Sequence, residues 1–248
     1  MPISSLLSTG AATLIAASRL TPVFATSPVL GSFRVPMPVR AVVVLALAFV
    51  FSTALEPALT GMSESRLLTV CVSEMLVGGV LALGVHASFA AFALAGRAVD
   101  VQSGLALASV IDPVTKASGS TLSQIFTTTA LALFFFSGTH LDLLRALAMS
   151  YEWVPAGSFL PDSALPELAA RASQIFVYGL ALAAPVMMAL WLIDVGVAVT
   201  SRSMPQINVL VLATPVKALV AVTILSLTCR GWTSEGSALH LFEYFVVR

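Results

Sequence analysis

The chain has 248 residues, of which 58% are apolar and 10% charged, and its mean hydropathy is +0.99. A soluble domain carries about 25% charged residues, so this chain has too few charges to cover a surface that faces water. The composition excludes a soluble enzyme, and it excludes a disordered protein, because disorder needs low hydrophobicity. Twelve acidic residues balance twelve basic ones, which argues against nucleic acid as a partner. The lipid bilayer is therefore the expected environment.

Apolar segments of helical length recur along the chain, and about 20 residues suffice to cross a hydrocarbon core of about 30 Å. The sequence predicts about six helices, at Ile3–Ala17, Ala41–Leu55, Leu67–Ala95, Ile125–Ser137, Ile175–Thr200 and Ile207–Thr228. The prolines between the first two segments predict a break there, because proline removes a backbone donor. The third segment is longer than one crossing needs and is expected to tilt or protrude. The predicted fold is all-α, one membrane domain of residues 1–248 built from helical hairpins.

The stretches between these segments are more polar. Leu141–Met149 is typical of an amphipathic helix, and Tyr151 and Trp153 follow it at an expected membrane interface. With Arg19 counted in the first loop, the basic residues divide almost evenly between the two sides of the membrane. The distribution of positive charge therefore predicts no orientation.

Patterns of known catalytic and metal sites are missing from the sequence, which has no GxSxG, HExxH, Walker loop or GxGxxG. Cys71 and Cys229 lie in separate apolar runs without metal-site spacing, so both are interpreted as free, buried thiols. His86 and His240 are interpreted as structural histidines. We predict no enzymatic activity, no cofactor and no metal.

Charged residues within apolar segments are costly, about 2.5–3.5 kcal/mol each at the membrane centre, so each needs a partner or water. Arg97 and Asp100 lie three residues apart, on one helical face, and are predicted to neutralise each other. Asp194 and Lys217 flank a turn near Ser203 at similar distances. An antiparallel hairpin is therefore predicted to pair them.

Glu74 precedes a group of glycines in the third segment. Gly78, Gly79 and Gly84 lie within a few turns of it, and small residues let another helix approach closely. Glu74 is expected to face protein or a cavity, and the glycines are expected to pack against a neighbouring helix.

A pentad after the third segment carries a family resemblance. Asp100-Val101-Gln102-Ser103-Gly104, followed by Asp112-Pro113, resembles the central signature of the FliR/SctT family of type III export-apparatus proteins. Further matching elements follow the family's order, namely Arg34-Val35-Pro36, Ser137-Gly138-Thr139-His140-Leu141, Pro155-Ala156-Gly157, Pro205-Gln206-Ile207 and Pro215-Val216-Lys217. Each motif is short, but the likeness covers nearly the whole chain in the right order, and the combination is specific.

The resemblance implies a non-enzymatic subunit of an export gate, a helical, ring-like complex in the bacterial inner membrane. This multi-pass chain is expected to join FliP-like and FliQ-like subunits, or SctR/SctS-like ones, and an FlhB/SctU-like subunit. Unfolded export substrates would pass through the channel that these subunits form in a flagellar basal body or an injectisome base.

The resemblance also implies a plug in that channel. The plug maps onto the segment from Ser109 to Ser123 and includes Ser109, Asp112, Pro113, Lys116, Gly119 and Ser123. Pro113 removes a backbone donor and Gly119 frees the backbone, so a helix there would be weak. An ordinary surface loop would have much the same composition.

Two alternatives stay open. Pro155-Ala156-Gly157 and His140 favour the flagellar branch, whereas Tyr151 with Trp153-Val154-Pro155 favours the injectisome branch, and we favour the flagellar one. A small-molecule or proton-coupled transporter is the alternative from another class. It would use Glu74, Asp100, Asp194 and Lys217 as a relay.

Overall fold

The computed structural model describes residues 3–55, 64–105, 121–159, 161, 164–203 and 209–234. These residues form eight α-helices and no strand, which confirms the predicted all-α membrane fold. The helices are α1 (Ile3–Thr26), α2 (Pro28–Ser32), α3 (Met37–Leu55), α4 (Glu64–Ser103), α5 (Thr121–Phe136), α6 (Thr139–Trp153), α7 (Ala164–Ser203) and α8 (Val209–Ser234).

The first helix is longer than the sequence predicted. α1 continues through Arg19 and Pro22 to Thr26, so Arg19 lies in a helix instead of a loop. The expected break comes later, at residues 33–36 between α2 and α3. Hydroxyl groups on both sides of Pro22 bond backbone carbonyls within the helix, as with Thr21 to Ala17. These bonds do not replace the one that Pro22 removes, which is to the carbonyl of Ser18. The burial of Leu20 and Val23 on either side of Pro22 offsets that loss.

Two helices are longer than a bilayer crossing requires. α4 and α7 have 40 residues each, which corresponds to about 60 Å at 1.5 Å per residue. They are also the described helices that are long and apolar enough to cross a membrane. A third crossing is obtained if α5 and α6, which Ser137 and Gly138 separate, are taken as one broken span.

The described residues group into two compact units. Unit 1 contains those up to Ala87 and those from Gly138 to Arg171, whereas unit 2 contains Ser88–Ser137 and residues 172–234. The single membrane domain that the sequence predicts over residues 1–248 remains a prediction.

Unit 1 has a core centred on α1. Buried side chains of α1 recur every three or four residues, and they pack against apolar residues of α3, α4 and α6. The central members are Ala12, Ile15, Ala16, Leu20 and Val23 of α1 with Val44, Ala48, Val70, Ala82 and Leu147. This core surrounds the position of Arg19 with apolar side chains.

Unit 2 has an aromatic core. The rings of Phe92 and Phe126 both contact Trp232, with centroid separations of 5.8 and 5.7 Å. Phe89 and Phe134 form a further pair at 5.9 Å. These contacts bring the carboxyl-terminal half of α4 together with α5 and the end of α8.

Candidate functional site: three polar junctions

The Arg19 junction is a buried ion pair in unit 1. Arg19 and Glu74 have fully buried side chains, and the guanidinium binds the carboxylate through two bonds. Nε lies 2.5 Å from Oε2, and Nη2 lies 3.0 Å from Oε1. Two parallel charge-assisted bonds fix the orientation of both groups as well as their separation.

The same pair holds the end of α6 and the turn after it. Arg19 donates to Ser150 Oγ at 3.1 Å and to the carbonyl of Val154 at 2.8 Å. Gly157 N donates to Glu74 Oε1 at 3.0 Å. One ion pair therefore joins α1, α4, the end of α6 and the turn that contains Gly157.

Two glycines allow the Arg19 junction to form. A Cβ at Gly78 would lie 2.0 Å from the carbonyl oxygen of Arg19, so α1 and α4 meet backbone to backbone there. Gly157 has a φ of 83°, which L side chains rarely adopt, and a Cβ would lie 3.1 Å from Val70 Cγ2.

The other glycines of the predicted packing face differ from Gly78. A Cβ at Gly79 would have no neighbour within 4 Å, and Gly84 is half-buried. Gly78 thus packs against α1 of the same chain, while the predicted contact of Gly79 with another helix stays a prediction.

The Asp100 junction lies in unit 2, where α4 meets the start of α5. Asp100 is 1% exposed, and its carboxylate accepts from the backbone N–H groups of Leu122 at 3.2 Å and Ser123 at 3.1 Å. These groups lie in the first turn of α5, where backbone donors have no partner within the helix and negative charge is favourable. Asp100 therefore caps α5 from another helix.

Close backbone packing surrounds this cap. A Cβ at Gly96 would lie 2.3 Å from Ser123 Cα, and Ser123 Oγ donates to the carbonyl of Ala93 at 3.1 Å. The predicted pairing of Arg97 with Asp100 is wrong, because Asp100 points into the α4–α5 contact whereas Arg97 is exposed. Three residues correspond to about 60° around a helix, enough to place one side chain inside the contact and the other outside.

The Lys217 junction joins α4, α7 and α8 within unit 2. Lys217 Nζ forms an ion pair with Asp194, the contact that the hairpin spacing predicted, and the two side chains are 12% and 40% exposed. The same ammonium group lies 3.4 Å from the backbone carbonyl oxygen of Gln102. The Gln102 amide in turn donates to the carbonyl of Met187 on α7 at 3.0 Å. Gly104, just beyond the end of α4, has a φ of 81°.

Several predicted site residues lie outside the described residues, namely Ser109, Asp112, Pro113, Lys116, Gly119, Pro205, Gln206 and His240. Of the predicted plug, Ser123 is described, and it belongs to α5. His86 Nδ1 lies 2.9 Å from the carbonyl oxygen of Ala82, a local bond along its own helix. Cys71 and Cys229 are free thiols that are half-buried, so the expectation of full burial is wrong.

The three junctions act as cross-links between helices. Glu74 binds Arg19 and the Gly157 backbone, whereas Asp100 binds backbone amides, so of the four residues of the transporter alternative only Asp194 and Lys217 contact each other. The described part of the chain contains no group of three His, Cys, Asp or Glu residues that could hold a metal ion. Charges that are bound in this way stabilise helix positions.

Residues 11–239 match the protein family described as bacterial export proteins, family 1, and this range includes all three junctions. The chain is 34% identical over 171 residues to Yop proteins translocation protein T of Yersinia pestis, a match that covers 68% of this chain and 66% of that protein. It is 29% identical over 228 residues to flagellar biosynthetic protein FliR of Bacillus subtilis strain 168, which covers 90% and 88% of the two chains. It is also 29% identical over 210 residues to surface presentation of antigens protein SpaR of Shigella flexneri, covering 84% and 80%.

Proposed function

Because the chain belongs to the family of bacterial export proteins, family 1, we propose that it is a non-enzymatic core subunit of the flagellar type III protein export gate. The observation that carries this proposal is the match over residues 11–239, together with a flagellar relative that covers 90% of the chain. The composition of the chain agrees with a membrane component of such an apparatus. In this role it helps to form the channel through which unfolded flagellar subunits cross the inner membrane.

The three junctions support a scaffolding role. The buried charges bind one another or the backbone, as in the Arg19–Glu74 pair, so they hold helices in place. Large apolar side chains on α3, α4 and α7 are exposed, among them Phe49, Leu68 and Trp191. A subunit surrounded by lipid and by other membrane subunits would cover such faces. The proposed partners are FliP-like and FliQ-like subunits and an FlhB-like subunit.

The experiment that tests this function is deletion of the gene in its own bacterium. Loss of flagellar filaments in electron micrographs, with filaments restored by the intact gene, is the expected result. An affinity-tagged copy should copurify with the FliP-like and FliQ-like subunits in detergent. Normal filaments in the deletion strain would contradict the flagellar assignment.

An injectisome export gate is the second candidate. The 34% identity to the Yersinia translocation protein favours it, as do the names of the Shigella relatives. The partners would then be SctR-like, SctS-like and SctU-like subunits. The same deletion strain separates the two candidates, because it would keep its filaments and lose secretion of effector proteins into the medium.

We also propose that residues 109–120, the part of the predicted Ser109–Ser123 segment that precedes α5, serve as a plug of this channel. The proposal is supported by the family resemblance and by the composition of the segment, which includes Pro113 and Gly119 between two apolar helices. The Asp100 junction fixes the start of α5, the helix into which this segment leads.

A further inference from the structure

Lys217 occupies a position where a lysine is unexpected. The buried residues Ala213, Ala221 and Leu225 lie four and eight residues from it, so Lys217 belongs to the inward stripe of α8. Its side chain is 12% exposed. A charged group in such a stripe is costly and needs a specific set of acceptors.

The two acceptors of Lys217 differ in how far they depend on the lysine as a hydrogen-bond partner. Asp194 is 40% exposed, so its carboxylate can be solvated without the lysine. The Gln102 carbonyl lies in the last turn of α4, where carbonyl groups lack a partner within the helix and a nearby cation is favourable. Of the two contacts, the one with Gln102 therefore depends more on a donor at position 217, and a cation is favoured there.

The last turn of α4 is bound to α5 at its start, where Asp100 accepts from the α5 backbone and Ser103 Oγ donates to the Asp100 carbonyl at 3.1 Å. At its end, Gly104 N donates to the carbonyl of Val101 at 3.3 Å, and the φ of 81° at Gly104 ends the helix. The Gln102 side chain supplies a second tie through the carbonyl of Met187 on α7. The family pentad that ends at Gly104 is thus attached to the α7–α8 hairpin through Lys217 and through the Gln102 amide.

We propose that Lys217 is a positioning residue that holds the last turn of α4 against the α7–α8 hairpin, and that Asp194 is its counter-ion. The geometry carries this inference, and its consequence for export rests on the proposed function. Lys217 acts through the Gln102 backbone, and the ion pair makes a buried cation tolerable at that place. Loss of Lys217 therefore releases the end of α4 even when Asp194 is neutralised at the same time.

A disulfide reporter measures this position directly. A Cβ at Gly104 would lie 3.9 Å from both Oγ1 and Cγ2 of Thr214 on α8, so Gly104→Cys with Thr214→Cys places two thiols near each other. The φ of 81° strains Gly104→Cys in every background alike, so each yield is compared with that of the same cysteine pair in the otherwise unchanged chain. Cys71 and Cys229 are changed to alanine in every variant, and the full chain is expressed with its partner subunits. Oxidation in membranes, followed by gel electrophoresis, gives the yield of the disulfide.

A matched control lies between α4 and α7, away from Lys217. A Cβ at Gly179 would lie 3.3 Å from Leu94 Cβ, so Gly179→Cys with Leu94→Cys forms a comparable reporter. Its yield should be the same in every background. This control reports on general folding and on the efficiency of oxidation.

The decisive background is Asp194→Asn/Lys217→Met, which leaves neither charge uncompensated. We expect the 104–214 yield to fall about threefold, the ratio that corresponds to loss of a cation at a helix carboxyl end. Asp194→Glu and Lys217→Arg should both stay near the parent yield, because each keeps the ion pair and a cation beside Gln102. A parent-like yield in the double variant, or an equal loss in Lys217→Arg, would overturn the inference.

Export is measured separately in the same strains. We expect filament assembly or effector secretion to fall in the double variant and to recover in Lys217→Arg, with copurification of the partners unchanged. If the reporter responds but export does not, Lys217 positions α4 without affecting transport. If deletion of the whole gene affects neither filaments nor effectors, the proposed function fails and the reporter result still decides the inference.

Discussion

Arg19 and Glu74 are opposite charges withdrawn from solvent, and their contacts are with each other and with the end of α6 and the turn that follows it. Transfer of each ion into the interior costs several kcal/mol, and the pairing offsets this cost only while both partners are present. The Arg19 junction should therefore be sensitive to the loss of one charge and less sensitive to the loss of both.

Glu74→Gln tests this sensitivity. We expect the free energy of unfolding to fall by about 3–5 kcal/mol, because Arg19 stays buried without a counter-ion. The Arg19→Met/Glu74→Leu double variant should recover most of that loss. Circular dichroism during denaturation of the detergent-solubilised protein measures both values.

Asp142→Asn is the matched control for that experiment. It breaks the Asp142–Arg145 pair on α6, whose side chains are 37% and 74% exposed. An exposed pair of this kind contributes at most about 1 kcal/mol. Equal losses of unfolding free energy in Glu74→Gln and Asp142→Asn would contradict a larger contribution of the buried pair to stability.

Tyr151 contributes its ring to the same junction. The Arg19 guanidinium carbon lies 3.9 Å from the ring centroid, while the buried hydroxyl has no hydrogen-bond partner among the described residues. Tyr151→Phe should therefore leave the melting temperature unchanged or raise it. Tyr151→Leu should cost about 0.5–2 kcal/mol through loss of the cation–π contact. A clear loss of stability in Tyr151→Phe would assign the hydroxyl a partner and contradict this account.

At the scale of helices, the closest approach in unit 1 is that of α1 and α4 at Gly78. Gly78→Ala would place a methyl group 2.0 Å from the Arg19 carbonyl oxygen, so the helices must move apart, at a cost of about 1–3 kcal/mol. Gly79→Ala is the matched neighbour with open space, and its helix propensity should raise stability by up to about 1 kcal/mol. Thermal unfolding in detergent compares the two, and equal effects would contradict the contact at Gly78.

The sequence predicted which segments are helical better than where they end. Hydrophobicity located the core of six helices, but α4 extends through Arg97 and Asp100 to Ser103, eight residues past the predicted end at Ala95. Polar residues continue a helix when its neighbours satisfy them, as α5 does for Asp100. α1 likewise extends through Pro22, because Leu20 and Val23 on either side of it are buried in the core of unit 1.

The junctions were predictable to different degrees. Asp194 and Lys217 were paired from sequence because they flank one turn, and a hairpin relates such positions by simple spacing. Arg19 was missed because it lies 55 residues before Glu74, and no spacing rule connects two helices that are not consecutive. The partners of Asp100 were missed because they are backbone amides at the start of a helix, and no pattern of side chains in the sequence identifies such amides.

At the scale of the whole molecule, the proposed plug is tested by removing residues 116–120 in cells that also express the partner subunits. We expect copurification of the complex to stay normal, because the deletion lies outside the three junctions. Small solutes should then leak across the inner membrane, as measured by growth and by uptake of a membrane-impermeant dye. An intact complex with a membrane as tight as that of the parent strain would contradict the role of this segment as a barrier.

The distance along the chain between Arg19 and Glu74 also has a consequence for biosynthesis. α1 leaves the ribosome 55 residues before its counter-ion exists, so at first it carries an arginine that would cost about 2.5–3.5 kcal/mol in lipid. α1 is also not among the described helices that are long and apolar enough to cross a membrane alone. We therefore expect stable insertion of α1 to depend on the translation of α4, which carries Glu74. The remaining ligands, Ser150 and Gly157, close the junction only after α6 has followed.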